Sequence, residues 1–467
     1  MNLRRWLAVG IGVKRWVLLA FLGLLVLAVG VAHGLRQVTS NLEPGTPAMD
    51  VVDLITLQFL PFQVRGLAAA IVGISLFLYG AYRLVRALVD PFAMWDRDQP
   101  MVEVIYQKRF LARGPRVVAI GGGTGLSMLL RGLKEHTSNL TAVVTVADDG
   151  GSSGKLRAEL GIPAVGDIRN CIVALADAEP LMGRLLQYRF PGSATGVAEA
   201  TGAEPIVADD TTEGQGLAGH AVGNLLLAAL FAVEDGDFEE AVREMNRVLA
   251  VRGQVVPATA TPLILHAELR DGSVLEGQSA ITHTAGVTRV WVEPSEVRAT
   301  DDALRAIAEA ELIVLGPGSL YTSLLPALLV PGIREAIAAS QAVRIYACNV
   351  ATQDGETDGC DLADHVEALH AHGVAGLLDV VLANNRFDAR PPTEWRAQPV
   401  RLRWPPASVP VDGGGGSSRR APRLALDELV DPDNAHHHDP ARLATALLRT
   451  WERERGHPRR AAVVRTA

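Results

Sequence analysis

The residues best suited to chemistry come in short runs that repeat one theme, unshielded backbone beside polar side chains. Gly121-Gly122-Gly123-Thr124-Gly125 offers free N–H groups and a hydroxyl, and Gly316-Pro317-Gly318-Ser319 does so again, with Tyr321 two residues on. Between them Asp148 and Asp149 open a second polar turn, Gly150-Gly151-Ser152-Ser153-Gly154. Glycine lets backbone approach an anion closely and adopts the positive φ of a tight turn. Three more runs carry groups that bind rather than pack: Asp167-Ile168-Arg169-Asn170, His220 with Asn224, and Asn349 with Thr352 and Gln353.

Elements must hold these runs together. Residues 116–120 form an apolar, β-branched stretch that reads as a buried strand, and Leu126, Leu129, Leu130 and Leu133 follow the glycines at helical spacing. Strand, glycine turn, helix places a helix N-terminus where an anionic ligand can reach it. Tight packing alone produces the same pattern, and neither the dinucleotide fingerprint nor the Gly-Lys-Ser/Thr of a P-loop is present. Residues 141–146 predict a second strand, delivering the two aspartates and a flexible polar turn. The motif recurs at 312–315, and residues 343–347 and 380–385 predict further parallel strands with polar ends. Together these predict an α/β fold with ligand groups along one sheet edge.

At each run a structural reading stands beside the ligand reading. Asp167 can cap the helix that runs through Leu175, and His220 with Asn224 can be a buried capping pair. Arg169 in a first helical turn opposes the dipole unless an anion or carboxylate answers it. His220 and Asn224 converge on one spot, and His220 is the one candidate base, without a visible orienting partner. Residues 255–260, 263–269, 273–278 and 289–292 predict more strands, some antiparallel, with Asp271-Gly272 as a hairpin turn. Residues 191–219 read as a long flexible loop, 390–410 as proline-rich and 413–420 as a loop. Residues 424–430 predict a short strand or edge element, and 441–453 a basic amphipathic helix. His436, His437 and His438 lack the carboxylate partners of a closed metal site.

The chain has 467 residues, net charge −8 and few aromatics, so neither charge nor stacking platforms favour nucleic acid. Three cysteines at irregular spacing, Cys171, Cys348 and Cys360, form no disulfide or metal framework. The mean hydropathy of +0.18 points to a membrane segment. Residues 16–35 carry no formal charge, enough to span a bilayer core of about 20 apolar residues. A second apolar run, 66–82, is flanked by Arg65 and Arg83, and Trp16, Tyr79 and Tyr82 fit interfacial anchors. Basic residues gather before the first run and after the second. The expectation is a transmembrane hairpin over 1–90, a juxtamembrane connection over 91–114, and a main domain over 115–452 with a disordered tail. The positive-inside rule places both termini and the domain in the cytoplasm of a multi-pass membrane protein. A cleaved signal peptide is the rival, and leaves the second run unexplained.

The runs GGGTGL, DDGGSSG, GDIRN, GHAVGN, GPGSLYTS and NVATQDGETDG, in this order from Gly121 to Gly359, resemble the bacterial gluconeogenesis-factor family (YvcK type). That family is similar to the 2-phospho-L-lactate transferases (CofD type) and belongs to their superfamily. The resemblance covers residues 116–448 and implies a Rossmann-like, mostly parallel sheet with helices on both faces. It further implies a bound UDP-sugar, UDP-N-acetylglucosamine or UDP-glucose, in a protein that regulates cell-wall synthesis and cell shape according to carbon metabolism. A homo-oligomer and cell-wall synthesis proteins are the macromolecular partners that reading allows.

On that reading the turns at Gly121 and Gly316 hold the pyrophosphate, and Thr124, Ser152, Ser153 and Ser319 donate hydroxyl bonds. Tyr321 stacks on or covers the nucleotide, while Asn224 and Asn349 fix sugar or ribose hydroxyls. The transferase relatives imply an alternative, an enzyme with Mg²⁺ on Asp148 or Asp149 and His220 available as a base.

Overall fold

The computed structural model describes residues 110–176, 180–191, 216–387, 396–408 and 421–456, together with Leu24, Ser75 and Tyr79. The chain divides into two compact units, Met1–Phe110 and Leu111–Ala467. In the first, Leu24, Ser75 and Tyr79 are helical and exposed. Most of the expected hairpin and juxtamembrane connection, the heart of the 191–219 loop, the loop at 413–420 and the tail beyond 456 lie outside the described residues. Among the described residues no single helix is long and apolar enough to cross a membrane.

The second unit is built on β1 (Val117–Gly121), whose five residues are all buried. It pairs in parallel with β2 (Leu140–Val144) on one side and with β7 (Leu312–Leu315) on the other. Outside β2 lies β3 (Gln254–Pro257), and outside β7 lie β8 (Val343–Ala347), β9 (Val380–Asn384) and β10 (Arg423–Asp427). All seven strands run parallel. Every residue of β1, β2, β7, β8 and β9 is buried, so both faces of the sheet are covered there. The chain fills the β2 side first and returns later to the β7 side. The switch point therefore falls between β1 and β7, where open α/β sheets hold their ligands.

Each parallel strand feeds a turn and a helix. After β1 comes α1 (Gly123–Leu133), which buries Leu126, Leu129, Leu130 and Leu133 as their spacing predicts. It crosses α12 (Pro440–Glu454) so closely that a Cβ on Gly132 would stand 2.0 Å from the Pro440 carbonyl oxygen. The run after Asp149, expected as a flexible turn, is instead the start of α2 (Gly151–Leu160). Periodicity could not reveal it: Leu156 is the lone apolar residue that α2 buries, beside Ser152 and Ser153. Next come α3 (Gly166–Leu175), α4 (Pro180–Gln187) and α5 (Val222–Val233). The sequence reading passed over α6 (Phe238–Val248), although Phe238, Ala241, Val242 and Met245 form a helical stripe capped by Asp237.

Between β3 and β7 the chain inserts a small antiparallel sheet, ordered β5-β4-β6. Its strands are β4 (Ile264–Leu269), β5 (Val274–Glu276) and β6 (Val287–Glu293), and Asp271-Gly272 turns the first into the second. A short helix, α7 (Gln278–Thr282), links β5 to β6, and α8 (Asp301–Glu309) leads back to β7. Beyond β7 a wide helical turn, Leu320–Leu324, runs into α9 (Leu325–Leu329) and α10 (Ile333–Ala339), and α11 (Leu362–Leu369) follows β8.

Candidate functional site at the switch point

The two glycine turns lie against one another. A Cβ on Gly125 would stand 2.7 Å from the Pro317 carbonyl oxygen and 2.8 Å from Gly318 N, and one on Gly121 would reach 3.9 Å from Gly316 Cα. Glycine is needed there so that two backbones can touch, and the peptide Gly316–Pro317 is cis. The tight-packing reading thus holds for much of both motifs. Gly123, at φ +64, keeps open space around it, with Ser323 Oγ the nearest atom at 3.7 Å from an added Cβ. Beside it Thr124 is exposed in the first turn of α1.

Three helix N-termini meet next to these turns. A Cβ on Gly122, the residue before α1, would stand 2.3 Å from Asp167 Oδ2 in the first turn of α3. One on Gly166, the first residue of α3, would stand 2.7 Å from Asp148 Oδ2, which precedes α2. The residues at the caps of α1, α2 and α3, Gly122, Gly150 and Val165, supply no side-chain cap. Asp167 therefore does not cap its own helix as expected; it is turned toward the start of α1. Such convergence sums partial positive charge, about half a unit per helix.

Two carboxyls and one guanidinium share this spot. Burial first, then Asp148, lift Asp167 to about 7, and the Gly123 N–H and Arg169 pull the other way. Its Oδ2 is buried without a hydrogen-bond partner. Burial also raises Asp148, although the Gly150 N–H donates to its Oδ1 at 2.9 Å and the Ser153 hydroxyl assists. Arg169 is buried, and burial followed by the charge of Arg189 lowers its pKa. Its Nη1 donates to Asn224 Oδ1 at 3.0 Å and its Nη2 to Asn170 Oδ1 at 2.9 Å, both neutral amides. Nε has no partner, and no carboxylate among the described residues comes within 4.0 Å of the guanidinium.

Ser152 ties the next motif in. Its hydroxyl lies 3.2 Å from His220 Nδ1 and accepts from Asn224 Nδ2 at 3.0 Å and from the Ala221 N–H at 3.3 Å. His220 and Asn224 do converge, and the meeting point is Ser152. Arg189 stands at the rim, donating to the Gly219 carbonyl at 3.1 Å, and a Cβ on Gly151 would be 3.9 Å from its Nη1.

The turn after β7 is organised differently from the expectation. Its hydrogen-bonding groups are occupied by the loop after β8. Asn349 brackets Gly318, accepting from its N–H at 3.1 Å and donating to its carbonyl at 2.9 Å. Ser319 Oγ donates to Gln353 Oε1 at 2.7 Å. Glu356, which sequence reasoning missed, accepts the N–H groups of Tyr321 at 2.6 Å and Thr322 at 3.2 Å. Tyr321 is a core residue, its ring edge-on to His372 at 6.1 Å and its hydroxyl pushed up to about 12 by burial. Thr352 is buried and accepts the Gln398 N–H at 2.9 Å. Asn349, Thr352, Gln353 and Ser319 thus brace the turn. No composition signal marks Glu356; only its place in the folded loop does.

Asp149 turns away from Asp148: its Oδ1 accepts both the N–H and the hydroxyl of Ser279 at 2.8 Å. The described residues contain no group of three or more His, Cys, Asp or Glu side chains arranged to hold a metal ion. His438 is buried 3.1 Å from the Cys348 carbonyl oxygen, and burial drives it down to about 4. A groove of about 300 Å³ lies elsewhere, beside the edge strand β3, between Arg243, Asn246, Arg247 and Gln254. It shares no residue with the switch-point site.

Comparison with known proteins agrees with this architecture. The profile described as 2-phospho-L-lactate transferase CofD matches residues 117–401. The gluconeogenesis factor of Bacillus subtilis is 46% identical over 276 residues, 59% of this chain and 80% of that protein. A Deinococcus radiodurans relative is 37% identical over 465 residues, 98% of this chain and 91% of its own length. The crystal structure of a Bacillus halodurans protein superposes with TM-score 0.61 at 40% identity, covering 72% of this chain and 100% of that one. With the six motifs gathered at one end of a parallel sheet, the chain belongs to the gluconeogenesis-factor family of CofD-like proteins.

Proposed function

We propose that the switch-point site binds the diphosphate of a nucleotide sugar, UDP-N-acetylglucosamine or UDP-glucose, and that the protein acts as a regulator rather than a catalyst. The observation that carries this is Arg169, a buried guanidinium held by neutral amides where three helix N-termini meet. Asp167 and Asp148 offset part of its charge without pairing with it directly, and an arriving diphosphate adds charge-assisted bonds. Gly122, Thr124 and Gly151 to Ser153 supply backbone N–H groups for the same anion. The Ser152 hydroxyl beside His220 is buried and also accepts from Asn224 Nδ2 and the Ala221 N–H, so it serves as a structural node, which supports binding over turnover.

In the family context the ligand reports carbon status, and the output is control of cell-wall synthesis and cell shape. The apolar runs 16–35 and 66–82 anchor the domain to the cytoplasmic face of the membrane in this reading. The test is calorimetry with UDP-N-acetylglucosamine, UDP-glucose and GDP, with and without Mg²⁺, followed by chromatography of each mixture. Saturable binding of a UDP-sugar without product supports the proposal. Product formation overturns it in favour of a transferase, and failure of every nucleotide to bind overturns both.

A further inference from the structure

The geometry points to Asp149 as a positioning residue, a latch that holds α7 of the inserted sheet against the acidic loop so that α7 walls one side of the site. It rests on the nucleotide-sugar reading for what is bound, though not for the latch itself.

Two independent contacts fix α7 across the sheet edge. On one side Asp149 Oδ1 accepts both the N–H and the hydroxyl of Ser279, in the first turn of α7, at 2.8 Å each. Its Oδ2 lies where a Cβ on Gly277 would stand, 2.2 Å away, and Gly277 sits at φ +93, where only glycine is unstrained. A Cβ on Gly150 would likewise be 3.1 Å from Ser279 Oγ. On the other side, the loop after β8 abuts the end of α7. A Cβ on Gly355 would stand 2.8 Å from His283 Cα and 2.9 Å from the Thr282 carbonyl oxygen.

The insert thus bridges the acidic loop after β2 and the loop that scaffolds the turn after β7. Ser279, Ala280 and His283 remain exposed on this bridge, while Ile281 anchors it in the core. A carboxylate that accepts two hydrogen bonds from one serine at a helix start acts as a cap supplied from another part of the chain. That occupation differs from a metal ligand's, whose oxygens must face the ion. Asp148 and Asp149 therefore divide the work: Asp148 lies against the start of α3, and Asp149 holds α7.

The latch and a metal role make opposite forecasts for two variants. Asp149→Asn keeps an Oδ1 acceptor for Ser279 but loses the charge a cation needs, whereas Asp149→Ala loses both. On the full-length chain, hydrogen exchange of residues 277–284 is expected to quicken about fivefold or more in Asp149→Ala, the loss of one cap, and to stay near wild type in Asp149→Asn. Amides of β1 and β7 serve as the control for intact folding. Affinity for UDP-N-acetylglucosamine should weaken about five- to tenfold in Asp149→Ala, and Asp149→Asn should restore most of the loss. Unchanged exchange in Asp149→Ala overturns the latch, as does equal damage by both variants together with a lost Mg²⁺ response. If the wild-type protein binds no UDP-sugar, the function proposed above falls, and the exchange comparison still decides the latch.

Discussion

A Cβ placed on Gly318 would stand 3.1 Å from the carbonyl oxygen of Gly122, so the turn after β7 rests on the turn after β1. The strands that deliver them are hydrogen-bonded neighbours separated by nearly two hundred residues of chain, which makes the contact a property of the topology. The sheet's order reverses between these two strands, the position at which open α/β sheets commonly hold a ligand. The contact also divides the labour. The β7 turn, stitched by Asn349, Gln353 and Glu356, is a floor, and in the function proposed above the β1 turn with α2 and α3 is the binding face.

Gly125→Ala tests the packing. Its Cβ would meet backbone atoms, Pro317 O at 2.7 Å and Gly318 N at 2.8 Å, which cannot rotate away. The expected cost is about 1–3 kcal/mol, as for overpacked cores. Urea unfolding should show the midpoint fall with the slope unchanged.

Arg169→Met separates stability from binding. Removing the buried guanidinium leaves Asn224 and Asn170 short of a donor and takes a counter-charge from Asp167 and Asp148, but it also abolishes the cost of burying that charge, and these effects oppose one another. Stability without ligand should therefore change by no more than about 1–2 kcal/mol. Affinity for a UDP-sugar should fall about 10- to 150-fold, the worth of charge-assisted bonds of about 1.5–3 kcal/mol. Calorimetry beside thermal melting reads both, and full retention of affinity would remove Arg169 from the site.

Much of this was legible before the structure, and the failures have physical causes. β1, β7 and the stripe of α1 follow from apolar periodicity, since buried parallel strands and amphipathic helices write their environment into the sequence. The meeting of His220 and Asn224 was readable from their spacing, yet their partner Ser152 lies 72 residues from Asn224. α2 was missed because its buried face is made of serines. The contact of Asn349 with Gly318 was hidden because a side-chain amide that brackets a peptide looks, in sequence, like one that waits for a ligand. Asp149 shows the same limit, because its partner Ser279 is 130 residues away.

Asp167 gives the site a pH signature. Burial and Asp148 raise its carboxyl from 3.8 to about 7. Between those values the folded protein holds a proton that the unfolded chain releases, so this group's contribution to stability declines as pH rises through that window. Asn has no such titration. Asp167→Asn should therefore gain on the wild type as pH climbs from about 4 to about 7, by at most about 1.4 kcal/mol per unit, and the gain should level off above. Urea midpoints for both proteins at about pH 5 and pH 8 check it; parallel curves would show that Asp167 ionises normally.

Glu356 allows the floor to be weakened without touching the binding face. Its carboxyl accepts two buried backbone N–H groups through Oε1 and the Thr322 hydroxyl through Oε2 at 3.2 Å, and burial raises it above the ordinary glutamate range. Glu356→Ala strands the Tyr321 and Thr322 N–H groups, each costing about 1–3 kcal/mol, so a loss of about 2–5 kcal/mol is expected. Glu356→Gln keeps the Oε1 acceptor and turns the other atom into a donor toward Thr322 Oγ1, which can accept, so its cost should stay below about 1.5 kcal/mol. Because the raised carboxyl makes the wild type less favoured as pH rises above 4.5, the Gln variant should also flatten that part of the stability profile. Equal destabilisation by Ala and Gln would mean that the charge, not the acceptor geometry, holds the turn. The ordering expected here, Gln far milder than Ala, follows from a helix start that needs an oxygen in place and is indifferent to whether that oxygen is ionised.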